Sequence, residues 1–138
     1  MTAIRIALVV TVLPSLLGLS VRADDSPKLK FEVYQDRGGE FRWRLKAANG
    51  AVLATPGQGY KDKAGARHGI ELVRKAGADD KMTFEVYEDA KKEHRWRLKA
   101  TNGQVIGSSS QGYKAKADSE KAIDLIKAGA AKAEVVEK

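Results

Sequence analysis

The sequence predicts an α+β domain. It reads as a tandem duplication of a unit of three strands, a helix and an optional further strand, forming one mainly antiparallel sheet with two helices packed on one face. Three observations carry this: a repeat at constant offset, alternation of apolar and polar residues in short runs, and a change to helical spacing after each third run. The repeat is the strongest of the three. Phe31-Glu32-Val33-Tyr34 recurs as Phe84-Glu85-Val86-Tyr87, and Arg42-Trp43-Arg44-Leu45-Lys46-Ala47 as Arg95-Trp96-Arg97-Leu98-Lys99-Ala100. Asn49-Gly50 returns as Asn102-Gly103, and Gln58-Gly59-Tyr60-Lys61 as Gln111-Gly112-Tyr113-Lys114. Every match has the offset 53, and positions 31–75 set against 84–128 without a gap give 23 identities in 45. A unit of about 50 residues buries too little surface to be stable alone, so the two copies should share one core.

Within the first copy, Lys30 to Gln35 alternates, with Phe31 and Val33 on one side and Glu32 and Tyr34 on the other. Phe41 to Ala47 alternates more cleanly: Phe41, Trp43, Leu45 and Ala47 face one way, Arg42, Arg44 and Lys46 the other. Asn49-Gly50 then suits a two-residue type I′ turn, whose central residues need positive φ. Ala51 to Thr55 is the third strand of the meander, and Gln104 to Ser108 its counterpart. The period then changes. Ala66, Ile70, Val73 and Gly77 are spaced for one face of a helix, as are Ser119, Ile123, Ile126 and Ala130. Asp62 is a good N-cap for the first helix, whereas Ala115 at the equivalent place cannot cap, so the second helix should start less sharply. Gly65 and Gly69 weaken the first helix by up to roughly 1 kcal/mol each relative to alanine. Ala133 to Val136 is either a short strand or a frayed tail. The helices should cover one face of the sheet and leave the other wet.

The 138 residues hold 25 Lys plus Arg against 18 Asp plus Glu, and no cysteine. That count excludes a disulfide scaffold, an iron–sulfur protein, a cysteine-ligated zinc site, a cysteine nucleophile and a lipoprotein. Two histidines argue against a multi-histidine metal site. Residues 1–23 read as a cleavable signal peptide. Arg5 precedes an apolar run from Ile6 to Leu19, Val21 and Ala23 supply small residues before the cut, and Asp24-Asp25 follows it. The run is short against the roughly 20 residues of a spanning helix. The organisation expected is therefore a leader over 1–23, a first repeat over 24–80 and a second over 81–138, secreted or periplasmic. The mature chain would carry 23 basic against 18 acidic residues, or +5.

The order Phe-Glu-Val-Tyr, Arg-Trp-Arg-Leu-Lys-Ala, Asn-Gly, then Gln-Gly-Tyr-Lys before a helix, taken twice, resembles the YegP-like family, a bacterial domain of unknown function found as tandem repeats. The likeness covers roughly Leu29 to Lys127. It implies a unit of three strands, helix and strand, whose two copies form a single sheet and exchange their C-terminal strands. The linker Ala76 to Lys81 is short for a separate fourth strand in the first copy. The resemblance carries no accepted catalytic residue, so none is transferred.

The residues themselves advertise no enzyme. His94 replaces Phe41 of the other copy and His68 faces Lys121, so neither histidine is duplicated. Gly57-Gln58-Gly59 lacks the further glycine or Lys-Ser/Thr of a phosphate loop, and Ser108-Ser109-Ser110 has no nucleophile-elbow context. No triad, carboxylate dyad, metal cluster or cofactor site can be assembled. One constellation invites function: Arg42, Arg44, Lys46, Arg95, Arg97 and Lys99 should project from one sheet face, with Tyr34 and Tyr87 on neighbouring strands of that face. Six cations and two aromatics can hold a polyanion, although alternating strands need a solvated face in any case and Glu32 and Glu85 can neutralise part of the charge. The partner expected is an anionic polymer, a membrane surface or a protein rather than nucleic acid, which exported proteins seldom meet. The chain would be a monomer or a dimer, and the competing reading is a structural or accessory envelope protein without a ligand. In Gln58-Gly59-Tyr60 and Gln111-Gly112-Tyr113 the glycine should permit a sharp strand-to-helix turn, and the tyrosine should plug the helix end.

Overall fold

The structure, a computed structural model, describes residues 27–79 and 81–138. The leader read over 1–23 lies outside the described residues, among which no helix is long and apolar enough to cross a membrane. The first copy supplies β1 (Lys30–Gln35), β2 (Phe41–Lys46), β3 (Val52–Pro56) and α1 (Lys63–Lys75). The second supplies β4 (Thr83–Glu88), β5 (His94–Lys99), β6 (Val105–Ser108) and α2 (Lys116–Gly129), followed by a 3-10 turn over Ala130–Lys132 and β7 (Glu134–Glu137). The seven strands form one sheet in the order β4-β5-β6-β3-β2-β1-β7. Every pairing is antiparallel except β7 on β1.

The duplication sets this order. β3 and β6 are equivalent strands that pair antiparallel at the centre, Thr55 opposite Ser108, so a pseudo-two-fold axis passes between them normal to the sheet. That operator keeps both helices on the same side. Phe31, Val33, Trp43, Leu45, Trp96 and Leu98 are all buried, and Ala66, Ile70, Val73, Ile123 and Ile126 of the helices join them in one core. Phe31 meets Trp43 edge-on at 5.7 Å, and Phe84 meets Trp96 likewise at 5.5 Å.

The helix starts follow their caps. Asp62 accepts a 2.8 Å hydrogen bond from the Gly65 amide, while Ala115 provides no side-chain cap. Gly77, which the spacing places on the helical face, sits instead beyond the end of α1. A Cβ there would lie 2.7 Å from the Lys127 carbonyl oxygen, so its bareness lets the chain pass close against α2. The two glycines that weaken α1 make room for Tyr60, whose hydroxyl would be 2.5 Å from a Cβ on Gly69. Tyr60 also exchanges backbone hydrogen bonds of 2.7 and 2.8 Å with Phe41, as Tyr113 does with His94. Gly59 and Gly112 have no room for a Cβ beside Glu40 and Glu93. The Gln-Gly-Tyr motif thus closes each unit onto the start of its second strand.

Two expectations are corrected, and the alternative left open for the C-terminal segment is decided. The β2–β3 turn is not type I′: Asn49 does not take positive φ, and Gly50 alone does, at 87°. The Gly50 amide bonds the Ala47 carbonyl and the Ala47 amide bonds the Ala51 carbonyl, each at 2.9 Å, which defines a three-residue loop closed by a left-handed glycine. Gly103 at 85° repeats it. The loop feeds a bulge that leaves Leu53, and its counterpart Ile106, as an extra residue opposite Leu45/Lys46 and Leu98/Lys99. The tail resolves as a strand, with Phe31 opposite Val135 and Glu32 opposite Val136. It is the single exchanged strand among the described residues, because the linker after α1 supplies none. The open face is also not wet throughout, since Glu32 is only 2% exposed.

Candidate anion-binding face

The face opposite the helices carries the predicted residues together, and the register explains how. In β1–β2, Glu32 lies opposite Arg44, Tyr34 opposite Arg42 and Lys30 opposite Lys46. In β4–β5, Glu85 lies opposite Arg97, Tyr87 opposite Arg95 and Thr83 opposite Lys99. Arg44 and Arg97 flank the axis, separated by Thr55 and Ser108 of the central strands. β2 and β5 are three strand steps apart, about 14 Å at the usual spacing. The eight residues thus form two equivalent ladders of three cations and one tyrosine.

Each ladder is laced with acids. Arg44 donates through Nε to Glu32 at 2.7 Å and Lys46 approaches the same oxygen at 3.4 Å. Arg97 donates to Glu85, with Lys99 at 3.6 Å. Arg42 and Arg95 each donate through Nε at 2.8 Å, to Asp36 and Asp89. Asp36 and Asp89 escaped the sequence reading because they close a turn rather than sit on an alternating strand. Their signal was available, since they are themselves a repeated identity at offset 53. The guanidinium carbon of Arg44 lies 4.5 Å from the Tyr34 ring centre, and that of Arg97 lies 4.4 Å from Tyr87. Stacking and ion pairing together hold the arginines flat along the sheet.

The electrostatics follow from these contacts. The Arg44 hydrogen bond, helped by Lys46 and Lys138, holds the Glu32 carboxyl down at about 2 against the opposing effect of burial. Hydrogen bonds from Arg42, Arg97 and Arg95 likewise lower Asp36, Glu85 and Asp89. Arg42 and Arg95 are raised by the same bonds to Asp36 and Asp89. On the helix side, burial raises Tyr113. The two copies differ in cover. Glu32 is closed off beneath Arg44, Lys46 and Lys138 beside β7, whereas the Glu85 side chain on the edge strand β4 is 41% exposed. Among the described residues no group of three or more His, Cys, Asp or Glu could hold a metal ion. His68 is exposed and His94 half-buried at the start of β5, and they lie on different elements.

Fold and face define a class of protein: a duplicated unit of three strands and a helix that closes one sheet and leaves a cationic, acid-laced face open. The chain belongs to the family described as Domain of unknown function (DUF1508), whose model matches residues 36–83 and 89–137. It is similar to the UPF0339 protein in the ptx operon 5′ region of Stutzerimonas stutzeri, 45% identical over 108 residues, which is 78% of this chain and 94% of that one. A UPF0339 protein of Treponema denticola is 54% identical over 50 residues, covering 36% of this chain but 84% of its own length, so it matches about one repeat. Among solved structures, the E. coli protein of unknown function yegP superposes with a TM-score of 0.71 at 29% identity, over 88% of this chain and 97% of that one. A Shewanella oneidensis UPF0339 protein gives 0.69 at 27% identity, over 80% and 91%. These likenesses make the chain a YegP-like protein and leave its activity open.

Proposed function

We propose that the chain is an exported, non-enzymatic binding module that uses its open sheet face to hold an anionic polymer, an anionic membrane surface or a protein partner. The observation that carries this reading is the doubling of the ladder on one face. Six cations stand against four paired acids, and the side chains of the cations are each between 28% and 37% exposed. The surplus charge lies in two tracks about 14 Å apart, a spacing suited to an extended polyanion that touches both. Export rests on the apolar run and small residues of 1–23, and it predicts that a secreted or periplasmic sample begins at Asp24 when its N-terminus is sequenced.

Binding of residues 24–138 to an acidic polysaccharide and to anionic vesicles across a salt series tests the face. Affinity should fall steeply with salt, and Arg44→Ser with Arg97→Ser should abolish it while the fold is kept. Unchanged affinity in that double variant would remove the polyanion reading. A structural role through self-association is favoured by one feature, the outer edge of β4, which no described strand pairs. Light scattering distinguishes it, because a strict monomer excludes it.

A further inference from the structure

We propose that the cleft at the start of β1 is a binding site for a compact multivalent anion of the phosphate-chain class. The inference goes beyond the strand ladders, with which the cleft shares only Lys46. The cleft has a volume of about 470 Å³, within the range of sites for small ligands. Lys28, Lys30, Lys46 and Lys132 line it, with Glu134 as the one acid. Ala47 contributes an apolar wall. Four elements bring these residues together: the segment entering β1, β1 itself, the end of β2, and the 3-10 turn with β7.

The arrangement is not one that stability alone would select. Lys30 stands directly opposite Lys46 across the β1–β2 pair, and like charges so placed are destabilising. The second repeat shows that the fold does not need a lysine there, since the equivalent pair is Thr83 opposite Lys99. Glu134 is beside Lys30 in the parallel register, yet among the described residues neither Lys28 nor Lys30 forms an ion pair. Lys46 shares its acid, Glu32, with Arg44. A lysine ammonium is a compact point charge suited to phosphate oxygens, and several around one cleft favour a ligand with closely spaced negative charges. Among the described residues no strand flanks β4, and the cleft at the start of that strand, about 380 Å³, is lined by the single lysine Lys127 beside Asp79.

Calorimetric titration of tripolyphosphate into residues 24–138 tests the site. Binding of one anion per chain is expected, weakening with salt. Lys28→Ala combined with Lys30→Thr should reduce affinity about tenfold or more, as for loss of charged contacts worth about 1.4 kcal/mol or more. Arg95→Ser combined with Arg97→Ser, on the ladder whose partners Asp89 and Glu85 lie outside the cleft, should leave it unchanged, which separates this site from the ladders. Lys30→Thr alone, the residue of the second repeat, should fold at least as well as the parent without anion and gain less thermal stabilisation when the anion is added. Absence of binding at low salt would overturn the proposal. So would loss in the arginine variant with retention in the lysine variant, equal loss in both, or equal thermal stabilisation of Lys30→Thr and the parent.

Discussion

Ser119 and Ala66 occupy equivalent places on α2 and α1, both fully buried, and among the described residues the Ser119 hydroxyl has no hydrogen-bond partner. A buried hydroxyl left unsatisfied is destabilising, and alanine is the better helix former, so Ser119→Ala should raise stability by about 1 kcal/mol. Chemical denaturation would show this as a higher midpoint at unchanged slope; a lower midpoint would mean that the hydroxyl is satisfied. Glu32 supplies the pH dependence. Its carboxyl is held at about 2 in the folded chain against an ordinary 4.5, so the unfolded chain takes up the proton more readily. The stabilisation it contributes is complete above about pH 4.5 and is lost as pH falls through about 2. Glu32→Gln should flatten the acid limb of the stability curve in that window. Glu85→Gln should change it less, because water screens the exposed copy.

The same four residues, Phe-Glu-Val-Tyr, occupy two different edges. On β1, Phe31, Glu32 and Val33 are buried because β7 runs alongside; on β4, Phe84, Glu85 and Val86 are only half-buried because no described strand does. Native-state hydrogen exchange should therefore be faster for amides of 84–87 than for 31–34, and removal of residues 134–138 should bring the two sets together. Continued protection of 31–34 after that truncation would show that β7 is not what shields them. This contrast marks what could be read ahead of the structure. Strand and helix periods are local and the duplication is explicit, so elements, faces and the two ladders were legible. The turn was not, because Asn-Gly fits either a type I′ pair or the last two positions of a three-residue loop, and the choice rests on the bulge at Leu53. The burial of Glu32 and the convergence of Lys28, Lys30, Lys46 and Lys132 were also hidden. Both depend on the parallel docking of a strand about 100 residues away.

At the scale of the molecule, several contacts tie one copy to the other. β3 pairs with β6, α1 rests on β6 as well as on β2, and β7 completes the edge of β1. Trp43 of the first copy lies against Gly107 of the second so closely that a Cβ on Gly107 would be 3.0 Å from its Cη2. Neither copy has a core of its own, so the two should unfold in one transition. Trp96→Phe leaves Trp43 as the sole tryptophan, in the first copy, and its fluorescence should lose intensity at the same denaturant concentration at which circular dichroism reports loss of all secondary structure. Gly107→Ala, a change in the second copy, forces Trp43 or the β6 backbone to shift and should cost about 1–3 kcal/mol. In the Trp96→Phe background that cost should appear as an equal fall in both midpoints. If the repeats were independent modules, Trp43 would instead report an unshifted transition while part of the circular dichroism signal moved to lower denaturant. That result would contradict the shared core on which the assignment of one sheet, one axis and one binding face depends.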